Sequence, residues 1–211
     1  AAVTYNQGGV GAVNTTVQTK LQEAVSVKDF GAVGDGVTDD TAAISAWIDN
    51  LLTTANKGYV PEGQYLLSSQ VAKTTTNINL TIEGAGIGIS QFLVGNGTGG
   101  ISLVSTDRET EVYISGLEFV ANQANAGIGL QITMPEGGNR HNRSVVLRDV
   151  KFSVINENDV TNYGYFSTAV DLTGCWRPFL NNLIISGPFG PSFDLSDSSA
   201  IYKTSVGVDV D

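Results

Sequence analysis

The chain has 211 residues and a net charge of −10, from 11 Lys and Arg against 21 Asp and Glu. That balance excludes nucleic acid and anionic membrane surfaces as main partners, because both need clustered cationic side chains. With 25 Gly, 15% charged residues and one Cys, the composition is that of short strands and frequent turns, with no disulfide framework and no thiolate metal site.

Residues 1–13 are Gly-rich and irregular, and the opening AAVTYNQGG lacks the basic and apolar regions of a signal peptide. Thr15-Thr16 offers a cap for a helix carrying Val17, Leu21 and Val25 at four-residue steps. Such a stripe either docks on the domain that follows or packs against copies of itself around a symmetry axis.

From Val25 to Asp49 the spacing predicts a strand, a tight turn and a capped helix. Val25, Val27 and Phe30 suit a half-buried strand, and Gly34-Asp35-Gly36 tolerates positive φ where the chain reverses. Asp39 or Asp40 stands where an N-cap belongs, and Ile44, Trp47, Ile48 and Leu51 place one apolar stripe on one face. Lys57-Gly58 is expected to close the helix. Tyr59 to Leu67 then predicts two strands around a Pro61-Glu62-Gly63 turn.

Beyond this point the chain repeats. Leu80–Gly84, Val112–Phe119, Val145–Phe152 and Pro178–Ile185 align with third residues at 82, 114, 147 and 180, giving steps of 32, 33 and 33. Within each unit, apolar residues alternate on both sides of a bend row made of Gly84, Gly116, Asp149 and Asn182. Polar side chains stacked in that row are expected to hydrogen-bond along it. A half-repeat follows each unit: Ile101–Leu103, Leu130–Ile132, Val170–Leu172 and Val208–Val210. Three short strands per turn, without intervening helices, wind as a coil whose strands stack about 4.8 Å apart. The expected fold is therefore all-β, a parallel β-helix with the striped helix as its lid. The expected divisions are an arm and short neck helix at 1–26, a first strand and capping helix at 27–58, and coils from 59 to 211. The missing initial Met and a stop at Val208–Asp211, inside a strand, point to a piece of a longer chain.

Lys28-Asp29-Phe30-Gly31-Ala32-Val33-Gly34-Asp35-Gly36-Val37-Thr38-Asp39-Asp40-Thr41, then a helix and Val60-Pro61-Glu62-Gly63-Gln64-Tyr65, resembles the N-terminal signature of the pectate-lyase-like superfamily of right-handed parallel β-helices. The preceding Gly11-Ala12-Val13 and Thr16–Val27, a short helix running into that signature, is similar to bacteriophage tailspike proteins with polysaccharide depolymerase activity. The resemblance covers residues 10–70 by motif. It implies a homotrimeric spike on the virion tail, joined to other tail proteins through its N-terminal side, that binds and cleaves capsule or lipopolysaccharide. It supplies no catalytic motif that maps onto this chain.

Candidate chemistry comes from the half-repeats, where Gln131, Asp171 and Asp209 face outward on successive coils. Asp171 and Asp209 are the expected catalytic carboxylates, since like charges one strand spacing apart separate into an acid and a base. A close pair suits a retaining glycosidase and a wider one an inverting glycosidase, whereas a lyase needs a base near the sugar C5 proton. Later loops lengthen and carry Tyr163, Tyr165 and Phe166, with Trp176 nearby, whose rings can stack on sugars. Arg140, Arg143 and Arg148 form a local basic set suited to carboxylate recognition. Gln131, Arg140, Arg143, Arg148, Trp176, Tyr163 and Tyr165 are thus the expected substrate contacts. His141 is expected to be solvated, Cys175 to be an inert thiol, and Asp35, Asp39 and Asp40 to serve turn and cap; neither metal nor cofactor is expected. A non-catalytic glycan-binding adhesin or structural tail-fibre fragment is the competing expectation.

Overall fold

The computed structural model describes residues 2–54, 57–77, 79–95, 97, 99–107, 109–135, 145–155, 164–175 and 178–186. After an antiparallel pair, β1 (Thr4–Tyr5) with β2 (Thr15–Thr16), every described strand pairing is parallel. A short helix α1 (Val17–Leu21), strand β3 (Ala24–Ser26), a 3₁₀ turn (Val27–Phe30), strand β4 (Asp35–Asp39) and helix α2 (Thr41–Thr54) lead into the coils. The first coil comprises β5 (Lys57–Val60), β6 (Gly63–Leu67) and β7 (Val71–Thr75), and the second β8 (Asn79–Gly84), β9 (Ser90–Val94) and β10 (Ile101–Ser105). The third comprises β11 (Glu111–Ala121) and β12 (Ile128–Thr133), and the fourth β13 (Val145–Val154) and β14 (Thr168–Asp171). Strand β15 (Phe179–Ile185) stacks on β13.

The expected repeat is the observed register. Gly58, Ile82, Ile114, Leu147 and Leu180 form one row, and Val71, Ile101, Leu130 and Val170 another. The chain is a parallel β-helix with three faces. The first runs up β5, β8 and the first halves of β11, β13 and β15; the second up β6, β9 and their second halves; the third up β7, β10, β12 and β14. Inside the second face, Tyr65, Phe92, Phe119 and Phe152 occupy equivalent positions, with successive ring centroids 6.1, 5.5 and 5.1 Å apart. All four are buried. Offset ring pairs at such distances add about 0.5–1.5 kcal/mol each beyond the area they bury.

A bend separates the first and second faces. Gly116, Asp149 and Asn182 have φ of 64°, 51° and 51°, a left-handed conformation that Gly, Asp and Asn tolerate best. Asn182 Nδ2 donates to Asp149 Oδ1 at 2.8 Å, the expected hydrogen bond along the row. At Gly116 a Cβ would lie 2.8 Å from the Gly84 carbonyl oxygen, so close approach as well as φ demands glycine there.

Helix α2 is the lid. Ile44, Trp47, Ile48 and Leu51 are fully buried over the first coil, and Trp47 Nε1 donates to the Val25 carbonyl at 2.9 Å. Lys73 stands in the row that Leu103 and Ile132 occupy farther up, and under the lid it pairs instead with Asp49 at 2.6 Å.

Three local expectations are corrected, and a fourth, open between Asp39 and Asp40, is decided. The strand expected through Val27 and Phe30 ends at Ser26, because Asp29 accepts from Ser26 N at 2.9 Å and Ser26 Oγ from Lys28 N at 3.2 Å, a capping box that turns the chain. Thr16 does cap α1, accepting from Thr19 N at 3.0 Å, but the helix stops at Leu21 and leaves Val25 to β3. Asp40 sends its carboxylate back to Val33 N and Gly34 N at 2.7 and 3.0 Å, and Asp39 instead accepts from Thr41 N at 3.0 Å. Lys57-Gly58 belongs to β5 rather than to the helix end; a Cβ on Gly58 would lie 2.5 Å from Leu51 and Trp47, so the glycine lets the lid approach.

Phe119→Ala opens a cavity in the middle of the ring stack and is expected to cost about 3–5 kcal/mol by denaturant unfolding. Val37→Ala, at an exposed position, is expected to stay within about 0.5 kcal/mol of the parent.

Candidate functional site

The third face carries an outward ladder directly behind its apolar row. Ser102, Gln131 and Asp171 are in register on β10, β12 and β14. Ser102 Oγ donates to Gln131 Oε1 at 2.9 Å, and Gln131 Nε2 donates to Asp171 Oδ2 at 3.0 Å. Thr173 Oγ1 donates to Asp171 Oδ1 at 2.6 Å. Ser102 is buried beneath the ladder, whereas Gln131 and Asp171 are half-buried and reach solvent. The amide orients one carboxylate oxygen and the hydroxyl the other, so Asp171 is held in one pose with lone pairs left for a ligand hydroxyl, a water or a C–H proton.

Gln131 and Asp171 are therefore brought together as the alternation expects. Arg148 is not with them: it is exposed on the first face, in the row of Ser115 and Asn181. Tyr165 lies in the loop before β14, where its backbone N donates to Gln123 O at 3.2 Å and its carbonyl accepts from Ala126 N at 2.7 Å. Its neighbour Phe166 is a core residue, 6% exposed and edge-on to Phe152 at 6.1 Å, and so is no sugar platform. Asp209, Arg140, Arg143, Tyr163, Trp176 and His141 lie outside the described residues. Cys175 is half-buried, its Sγ 3.5 Å from the Ile132 carbonyl.

A second polar cluster escaped the sequence reading. On the second face Gln64, Gln91, Glu118 and Lys151 stand in one outward row. Gln64 Nε2 donates to Gln91 Oε1 at 2.8 Å, and Gln91 Nε2 to Glu118 Oε2 at 2.9 Å. Ser153 Oγ donates to Glu118 Oε1 at 2.6 Å, with Lys151 Nζ 3.2 Å from the same oxygen. Glu118 is only 3% exposed. Burial pushes its carboxyl up, but the bonds from Ser153, Gln91 and Lys151 outweigh it and hold the group below the ordinary Glu value. Every oxygen is committed, which makes this cluster a staple across four coils rather than a reaction centre.

The acidic stretch near the lid is likewise spent on neighbouring amide and hydroxyl donors. Asp35 accepts from Val37 N, Thr38 N and Thr38 Oγ1 at 2.9, 2.7 and 2.8 Å. Hydrogen bonds from Ser68 and Thr41 lower the Asp39 carboxyl to about 2. Among the described residues no group of three or more His, Cys, Asp or Glu is placed to hold a metal ion, and no helix is long and apolar enough to cross a membrane.

A family model described as rhamnogalacturonase A/epimerase, pectate lyase-like, matches residues 24–202. The chain is 29% identical over 175 residues to the tail spike protein of Shigella phage Sf6, covering 79% of this chain and 26% of that protein. It is 28% identical over 203 residues to plasmin and fibronectin-binding protein A of Streptococcus pneumoniae, covering 88% of this chain and 27% of that protein. The chain thus spans about a quarter of the length of either relative. Among solved structures, the A-module of mannuronan C-5 epimerase AlgE4 from Azotobacter vinelandii has the same fold, with a TM-score of 0.50 at 23% identity over 77% of this chain and 50% of that one.

Because the Glu118 carboxyl is held below its ordinary value, the stabilisation it contributes is full above the ordinary carboxylate range and drains away as the pH falls through and below about 4. Glu118→Gln is expected to cost about 1–2 kcal/mol at neutral pH and less at pH about 3. Denaturant titrations at both pH values check the convergence; a constant difference would place the stabilising charge elsewhere.

Proposed function

Because the chain belongs to the rhamnogalacturonase A/epimerase, pectate lyase-like family, we propose that it forms coils of a phage tail spike that binds a bacterial surface polysaccharide, capsule or lipopolysaccharide, and depolymerises it. The observation that carries this reading is the relationship to a phage tail spike protein along 79% of the chain. The family description, which joins a rhamnogalacturonase with epimerases, supports carbohydrate as the substrate class.

The Gln131–Asp171 ladder is the proposed working surface. In hydrolysis Asp171 takes a proton from water as the water oxygen bonds to the anomeric carbon, and the departing glycosidic oxygen is protonated by a second acid, the role assigned to Asp209. In β-elimination the base removes the C5 proton of a uronate, the C5–H electron pair becomes the double bond between C4 and C5, the C4–O4 bond breaks, and the departing O4 takes a proton from the second acid. The fixed pose of Asp171, held at 3.0 and 2.6 Å by two donors, suits either task because little reorganisation is needed at the reacting atom. Arg140, Arg143, Trp176, Tyr163 and Tyr165 are proposed to contact the glycan around this face.

The proposed location is the virion tail, with the spike a homotrimer joined to other tail proteins through its N-terminal side. Apolar surface there supports association: Val3 and Leu21 are 68% and 71% exposed, beside a cavity of about 790 Å³ lined by Val17, Val25, Phe30 and Asn50 among others. A second reading, a non-catalytic adhesin, is favoured by the 203-residue relationship to a plasmin and fibronectin-binding protein.

Incubation with purified host capsule and lipopolysaccharide is expected to release oligosaccharides, with new reducing ends alone for a hydrolase and an added unsaturated-uronate absorbance for a lyase. Asp171→Asn and Asp209→Asn are each expected to slow release at least ~100-fold with glycan binding retained. Normal cleavage by both variants removes the site assignment, and binding without cleavage by the parent selects the adhesin.

A further inference from the structure

The three outward faces of the coil differ in how their polar groups are spent. On the second face Gln64, Gln91, Glu118, Lys151 and Ser153 bond to one another, and on the third Ser102, Gln131, Asp171 and Thr173 do. Among the described residues of the first face, the lowest rung alone is closed in this way, by the ion pair of Lys57 with Glu83. Above it, Ser115, Arg148 and Asn181 follow Glu83 in one row, and Tyr113 follows Thr81 in the neighbouring row. Arg148 and Asn181 are exposed, and Ser115 and Tyr113 are half-buried. Among the described residues Arg148 has no ion-pair partner. Its rung neighbours, Ser115 below and Asn181 above, are short and uncharged, and Glu83, two rungs below in the same row, is paired with Lys57.

We propose that this first face is a second saccharide-binding strip, distinct from the Asp171 face, which takes a carboxylate-bearing polysaccharide laid along the coil axis. The chemistry is complementary at each point. Arg148 presents a planar fork that fits a uronate carboxylate in bidentate fashion. Tyr113, one coil below and diagonal to it, offers a ring face for a pyranose and a hydroxyl for its polar rim. Ser115 and Asn181 supply donors and acceptors for ring hydroxyls. Tyr59, 38% exposed at the bottom of the Arg148 row, extends the strip downward. Strands spaced about 4.8 Å apart repeat these groups at roughly the advance of one sugar along an extended chain.

The strip accounts for the separation of Arg148 from Gln131 and Asp171. Its role is to hold a glycan, and it needs no catalysis at the third face, so its failure and that of the depolymerase reading are distinguishable.

Titration calorimetry of the whole chain with oligogalacturonate, oligomannuronate and hyaluronan oligomers tests it, with neutral dextran oligomers as the control. At least one anionic oligomer is expected to bind and dextran is not. Arg148→Gln is expected to weaken that binding about 10-fold or more and to flatten its salt dependence. Arg148→Lys, which keeps the charge but loses the fork, is expected to fall between parent and Gln variant, and Tyr113→Ser to weaken binding with the salt dependence kept. Val37→Ala, exposed on β4 and away from this face, is expected to leave the affinity unchanged. Failure of all three anionic oligomers to bind the parent, or equal affinities for parent, Arg148→Gln and Tyr113→Ser, overturns the proposal. So does loss of self-association in the two variants by sedimentation, since the face would then be a contact between copies.

Discussion

The structure depends on stacking each inward side chain on its equivalent one coil away. Tyr65, Phe92, Phe119 and Phe152 show the constraint most plainly, because their centroids fall 5.1–6.1 Å apart, close to the spacing that backbone hydrogen bonds impose on the strands. A slip of one residue would turn every ring to the outside, so the ring stack and the backbone ladder fix the same register. The bend row adds a second lock. Gly116, Asp149 and Asn182 share a left-handed backbone, and a β-branched residue in any of them would strain the corner through which β11, β13 or β15 passes. The stack must end somewhere, and α2 ends it by placing four fully buried side chains over the first coil.

Much of this was legible in the sequence because coil length is nearly constant. Ile82, Ile114, Leu147 and Leu180 could be aligned by counting, and the register repeats that alignment residue for residue. What counting cannot supply is competition between equally suited groups. Asp39 and Asp40 are both good caps, and which one serves the helix is decided by the Val33–Gly34 amides, whose need for an acceptor appears only once the turn is folded back. Glu118 was hidden for a related reason. Alternation assigns it to the outside, yet Gln91, Lys151 and Ser153 from adjacent coils bury it, and its contacts are about 30 residues away in sequence. Phe166 sits in a loop and looked available to a ligand, but the ring stack beneath it was open at Phe152 and took it in.

The candidate site was legible only in its strand-borne half. Period-two alternation put Gln131 and Asp171 side by side, and the hydrogen bond between them follows from that register. Arg148 was grouped with them for its charge beside Arg140 and Arg143, although its own strand unit, Val145–Phe152, is distinct from the half-repeats and stands on another face. The outer surface is therefore divided. One face is stapled by a buried carboxylate, one presents an oriented carboxylate, and one presents a guanidinium and tyrosine rings. A long polymer laid along such a coil would meet side chains at the strand interval of about 4.8 Å, which is the physical basis of the glycan sites proposed on it.

The outward face of β12 and β14 is the proposed meeting place of a glycan and the oriented Asp171 carboxylate. A crystal structure of the protein with an oligosaccharide from the host surface polymer tests it most directly. The account predicts a sugar hydroxyl or reacting atom within hydrogen-bond distance of Asp171, beside the Gln131 amide. Saccharide density confined to other faces, with the Asp171 carboxylate untouched, would contradict it.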